Sequence, residues 1–261
     1  MSGAKGAEGN TIELSGSDIS AKGVQAYGSI YGGVITLISS SEGSVSDSTL
    51  EVNTDSNGKR TTMTASDGAS IHFINGANGV EKYTIGLDGA DISAAGAQAG
   101  GSVYGDITLV ESSHGIVSGS GSKITLSRDG SGNRTSLTAT DGASVYFVNG
   151  AEGAEGNAIE INGAAITADG DQADGVTYGS SSLIESLSGT ATDNKVYLHS
   201  TGSSITSFQI QDGADMTLVS GAGGVSGNHV RMSGASLGVT GAPCPPFLPP
   251  AELRRGTQWR S

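Results

Sequence analysis

The ten residues "DGASIHFING" at 67–76 return almost unchanged as "DGASVYFVNG" at 141–150, and this self-similarity restricts the fold more than any other feature of the chain. Other landmarks keep the same order. "GAEGNTIEL" at 6–14 returns as "GAEGNAIEI" at 153–161, with "GVEKYTIGL" at 79–87 between them. Each is followed by a related tetrapeptide, "SDIS" at 17–20, "ADIS" at 90–93 and "AAIT" at 164–167, and then by a tyrosine, Tyr31, Tyr104 or Tyr178. A weaker third closing phrase, "DGADMTLVSG", runs from 212 to 221, and a fourth copy opens with "GNHVRMSGASLGVT" at 227–240. The copies start near Ala4, Ala77, Ala151 and Ala222, a period of about 71 to 74 residues. A period that long implies several smaller stacking units within each copy.

Within a copy, short β-rich runs such as "NTIELSG", "GVITLIS" and "STLEVNT" alternate with clusters of Gly, Asn, Asp and Ser, and no stretch has a helical period. The chain is therefore read as all-β. A parallel β-helix suits it best, because each rung leaves strands unpaired until the next rung stacks on it. With rungs of about 20–25 residues, a copy would hold about three rungs and the chain about ten. The alternative is a tandem of β-sandwiches, which would more often carry bulky core aromatics; here aromatics make up 5% of the residues. The β-helical region is assigned to 1–241 and a Pro-rich, non-repeat tail to 242–261.

The copies can be compared with one another. Ile71 and Phe73 correspond to Val145 and Phe147 and to Met216 and Leu218, so this alternating pair is expected to face a core. The position between them reads His72, Tyr146 and Thr217 and is expected to face water. The opening strand behaves alike: Ile12 and Leu14, Ile85 and Leu87, Ile159 and Ile161, Val230 and Met232 stay apolar around Glu13, Gly86, Glu160 and Arg231. Asp67-Gly68, Asp141-Gly142 and Asp212-Gly213 read as turns, since Gly tolerates positive φ and Asp bonds its own following backbone.

No catalytic, cofactor-binding or metal-binding residues are assigned, and no cofactor is expected. His72, His114, His199 and His229 occupy unrelated places in the repeat and read as surface residues without fixed carboxylate or cysteine partners. Asp169, Asp171 and Asp174 lie in "TADGDQADG", whose spacing does not fit a calcium loop, so the segment reads as a solvated turn. The threonines of "TTMT" from Thr61 and "TSLTAT" from Thr135 read as exposed strand residues.

The net charge of −13 disfavours nucleic acid and anionic lipid as partners. No run of about 20 apolar residues is available to span a membrane as a helix, and the N-terminus lacks the apolar core of a signal peptide. Cys244 is the single cysteine, so no internal disulfide can form.

"GNAIEINGAAITADGDQADGV" at 156–176, with "SGSDISAKG" at 15–23 and "DGADISAAGAQAGG" at 88–101, resembles the passenger regions of bacterial autotransporters of the pertactin-like kind, and the likeness covers most of 4–241. The resemblance implies a long β-helix displayed at the cell surface, with an adhesive or immune role; with no catalytic residues assigned, no catalysis is expected. Its partners would be host-cell or matrix molecules. The alternative is a carbohydrate-active β-helix, either a polysaccharide lyase or hydrolase or a glycan-binding module. The family's signal peptide and C-terminal barrel are not found here, so the chain reads as a fragment, extracellular in its intact parent and cytoplasmic if left unexported. All five prolines, Cys244 and the single Trp lie in 242–261, a segment expected to come from a shifted frame or a fragment end. End rungs with unpaired strand edges are expected to self-associate.

Overall fold

The structure is a computed structural model that describes residues 1–119, 121–200, 202 and 204–240. The tail assigned to 242–261 lies outside the described residues. Among these residues there is no helix, and the strands fall into three large sheets in which every pairing is parallel. Sheet I stacks Val34–Ser40, Ser70–Gly76, Asp106–Ser112, Ser144–Gly150, Ser180–Ser186 and Asp215–Gly221. Sheet II contains Val45–Asn53, Val80–Asp88 and then split strands such as Ile116–Ser118 with Lys123–Ser127. Sheet III runs through Asp18–Lys22, Thr62–Ser66, Asp91–Ala95, Ser136–Thr140, Ala165–Asp169, Ser207–Gln211 and Ser236–Val239. The chain visits I, II and III and returns to I, so Ile71 lies against Ile107 in the turn that follows. This is a parallel β-solenoid of about six turns, each about 36 residues long.

The expected rung of about 20–25 residues is too short, and a copy holds two turns rather than three. Each turn must cross three sheets, and the two turns of a copy are built differently. In one, sheet II passes to sheet III through a two-residue corner, Asp88 to Asp91, while sheet III reaches sheet I through a long excursion, Ala95 to Asp106. In the other the long link lies between Asn53 and Thr62 and the short one between Ser66 and Ser70. The insertions alternate between two edges, so only every second turn looks alike in sequence. The parallel pairing throughout the three large sheets also rules out the sandwich alternative, whose sheets are antiparallel.

The interior is a stack of aliphatic rows. Ile71, Phe73, Val145 and Phe147 are fully buried, and in sheet I Leu37, Phe73, Leu109, Phe147 and Leu183 alternate large with smaller along the axis. Ile85, Leu87, Ile159 and Ile161 line the inner face of sheet II, and Ile92, Leu137, Ile166 and Phe208 that of sheet III. Burying each such side chain contributes on the order of 1.5–3 kcal/mol. The rim between Glu13 and Arg231 points outward, as the varied charges there require.

Polar ladders fix the register. Asn157 Nδ2 donates to Val117 O at 3.1 Å, Asn194 Nδ2 to Ala154 O at 2.9 Å and Asn228 Nδ2 to Ala191 O at 2.7 Å, each satisfying a carbonyl of the preceding turn. The Tyr83 hydroxyl, fully buried, donates to Asn157 Oδ1 at 2.8 Å, and burial pushes its pKa up. At the Asp-Gly corners both residues adopt positive φ, 54° and 77° at Asp67-Gly68 and again at Asp141-Gly142, and Ala69 N–H closes the turn onto Ser66 O. Thr61 and Thr135 correct the reading of the threonine rows. They sit at the corner before the strand, fully buried, with hydroxyls donating to Asn53 O and Ser127 O at 2.7 Å each. Only the residues that alternate beyond them, such as Thr62 and Thr138, face outward.

Candidate functional site

The long excursions from sheet III to sheet I are three antiparallel hairpins. They pair Val24–Ala26 with Ser29–Tyr31, Ala97–Ala99 with Ser102–Tyr104, and Asp171–Ala173 with Val176–Tyr178. Their tips, Tyr27-Gly28, Gly100-Gly101 and Asp174-Gly175, have positive φ at both positions, the two-residue geometry whose twist matches paired strands. At each hairpin base a glycine is required by close approach. A Cβ on Gly96 would lie 2.1 Å from Asp141 O, and one on Gly23 2.2 Å from Asp67 O. The recurring Asp-Gly phrase is thus the seat on which the previous turn's hairpin rests.

The hairpins bond to one another. Gln25 Nε2 donates to Gln98 O at 3.1 Å, Gln98 Nε2 donates to Asp171 Oδ2 at 2.6 Å and to Gln172 O at 2.9 Å, and the Tyr178 hydroxyl donates to Gly101 O at 3.1 Å. They form a wall along the solenoid. The signal for it is present in the sequence as Q-A-x-G-x-x-Y at 25–31, 98–104 and 172–178, a pattern in which the tyrosines alone stand out as repeat landmarks.

Between the wall and the outer face of sheet I runs an open groove of about 460 Å³. Tyr104 and Tyr178 come from the wall and Tyr146 from sheet I, with Ile30, Val34 and Val103 as aliphatic surface and Ser70, Asp106 and Ser144 as polar groups. No lysine or arginine is among its described lining residues. Asp106 is held on both oxygens. Oδ1 accepts from the Ser70 hydroxyl, and Oδ2 accepts from the Thr108 hydroxyl and lies 3.1 Å from His72 Nε2. Burial pushes the Asp106 pKa up, but the hydrogen bond and charge of His72 and the two hydroxyls outweigh it and hold the carboxyl below 3.8. Burial likewise works against the His72 imidazolium, yet Asp106, helped by Glu111, raises it above 6.5.

The histidines therefore need correction. His72 faces outward but is bound to Asp106 of the next turn, and His199 Nε2 lies 3.1 Å from Glu160 Oε1 of the turn before. Glu160 also pairs with Lys123 at 2.6 Å; the Lys123 hydrogen bond outweighs burial, and with His199 it lowers the carboxyl. Glu160 and His199, with Tyr197 and Arg231, line an open pocket of about 510 Å³ on sheet II. His114 and His229 are exposed as expected. The acidic segment is not one turn: Asp169 ends a sheet III strand, Asp171 opens a hairpin and Asp174 lies at its tip. No group of three or more potential metal ligands is found among the described residues.

Fold and groove together define the class, a parallel β-solenoid that carries a hairpin wall on alternate turns. No family model, curated protein or solved structure matches the chain.

Proposed function

We propose that this solenoid belongs to a surface-displayed passenger of the autotransporter type and makes adhesive, non-catalytic contact with host-cell or matrix molecules. The observation that carries the reading is the wall. Alternate turns join the same two sheets with a three-residue Asp-Gly corner, so the hairpins are not needed to close the solenoid, yet they are ordered by their own glutamine ladder. An ordered projection that the fold does not require is a natural recognition element. A chain whose single cysteine lies outside the repeats, so that no disulfide closes within them, also suits passage through a membrane pore in extended form.

Against a hydrolase or lyase reading stands the groove's chemistry. It offers one carboxylate, Asp106, already engaged on both oxygens, where glycoside hydrolysis uses a pair. Self-association of the isolated chain is part of the proposal, supported by Val225, Leu237 and Val239, which stand exposed on the last described turn. A sharp monomer by light scattering at high concentration would count against it.

The adhesion test uses bacteria without adhesins of their own, carrying the chain fused to an export signal and barrel. Display should confer attachment to cultured epithelial cells or to immobilised matrix protein. Absence of attachment at verified surface levels overturns the reading.

A further inference from the structure

We propose that the groove at the foot of the hairpin wall is a binding site for an uncharged, extended glycan lying along the solenoid axis. The inference rests on the adhesive reading and gives that surface a ligand class.

Three features of the groove support it together. Tyr104 and Tyr178 recur at the same hairpin position two turns apart, and Tyr146 rises from the sheet between them. Tyrosine combines an apolar ring with a hydroxyl, which suits a sugar's mixed surface. Among the described residues the one close ring pair is Tyr197 with His229, so these three rings are not engaged in stacks of their own. Secondly, the sheet I strand starts supply one polar group per turn, Ser70, Asp106, Ser144 and Ser180, linked as Ser70 to Asp106 and Ser180 to Ser144. Parallel strands repeat about every 4.8 Å, a step close to one pyranose in an extended chain. A linear glycan could therefore meet a hydroxyl or carboxylate at each unit and a tyrosine at every second one.

Charge selects the third property. No lysine or arginine is among the groove's described lining residues to meet a uronate or sulfate, the one carboxylate among them is matched by His72, and the chain carries −13 overall. A polyanion is repelled. A proline-rich peptide also favours aromatic grooves, but its prolines carry no N–H donor and no hydroxyl, whereas each sugar unit brings hydroxyls that both donate and accept and can use the lone pairs left free on the serine row.

The test is titration calorimetry of the full chain with neutral β-linked gluco-, xylo- and chito-oligosaccharides of two to eight units, beside a heparin fragment and a proline-rich peptide. At least one neutral series should bind, tightening with length, and Tyr104→Ala or Tyr178→Ala should weaken it tenfold or more. A second variant replaces 96–105 by the Asp-Gly-Ala corner of the alternate turns. It should keep the β-sheet circular dichroism and cooperative melting of the parent and lose binding. No neutral series binding, affinity for heparin or the peptide alone, or binding untouched by all three variants overturns the proposal. If displayed cells attach and Tyr104→Ala does not reduce attachment, the adhesive reading stands and this one falls. If oligosaccharides bind and displayed cells do not attach, the reverse holds.

Discussion

The solenoid carries insertions at two edges, both with a period of two turns, and the two edges spend their polar groups differently. Between sheets II and III the loops at 54–60 and 129–134 are tied inward. Arg60 Nε donates to Gly89 O at 2.7 Å and its guanidinium continues to Ala90 O and Arg134 O. Arg134 repeats the pattern one copy later on Gly163 O, Ala164 O and Ile205 O. Asp55 and Asp129 each fold their loop by accepting backbone N–H groups two and four residues on. At Asp129 the penalty of burial is outweighed by the nearby Thr54 hydroxyl and the hydrogen bonds from Asn133 and Ser131, which bring the pKa to about 2. Between sheets III and I the hairpins bond chiefly to one another and leave the tyrosine side to the groove. One edge holds turns together and the other is free to hold something else. In the third copy the tying arginine is replaced by Ile205, which is exposed, so the inward tie ends with Arg134.

The contrast is open to test, first where the effect should be largest. Arg134→Ala removes four hydrogen bonds from a cation to three carbonyls and Ser207, and should cost about 3 kcal/mol in urea unfolding. Arg134→Lys should recover little, because an ammonium cannot reach all of them at once. A loss below about 0.5 kcal/mol would erase the distinction between the edges. Gly96→Ala should cost about 2 kcal/mol by forcing the hairpin base off the Asp141 carbonyl. An unchanged midpoint would mean that the hairpins are not seated on the corners.

The His72–Asp106 pair, whose carboxylate lines the groove, should add about 1 kcal/mol over a limited pH range. Because His72 is raised, its share is complete below its unfolded value near 6.5 and fades as pH climbs through the higher folded value. Because Asp106 is lowered, its share is complete above about 3.8 and fades as pH falls through the lower folded value. The stability gap between the parent and His72→Gln should therefore be widest between about pH 4 and 6.5 and narrow at pH 9. A gap independent of pH would remove the ion pair from the account. Smallest of all, Gln98→Ala should leave global stability within about 0.5 kcal/mol while speeding amide exchange in all three hairpins. A global loss comparable to that of Arg134→Ala would make the wall part of the scaffold.

Much of the scaffold could be read from residues close together in the chain. The alternation around Ile71 and Phe73, the strand inventory and the Asp-Gly turns all depend on neighbours two to four positions away, and all are present in the structure. The turn length was misread because adjacent turns carry their insertions at opposite edges, which hides a 36-residue period behind one of about 73. Thr61 and Thr135 were misplaced because a corner resets the inside-outside alternation just before the strand. His72 and His199 looked isolated because their carboxylates lie 34 and 39 residues away, in turns of the other type. The groove was invisible for the same reason, since Tyr104, Tyr146 and Asp106 hold unrelated positions in the repeat.

The sequence by itself determined that the chain stacks, which faces of its strands are apolar and where it turns, because side-chain alternation and backbone φ are settled by local sterics and hydrophobicity. Only the tertiary structure decided which outward residues meet. Stacking sets residue i beside residues about 36 positions away, and an insertion of a few residues in any one turn changes which side chain arrives there.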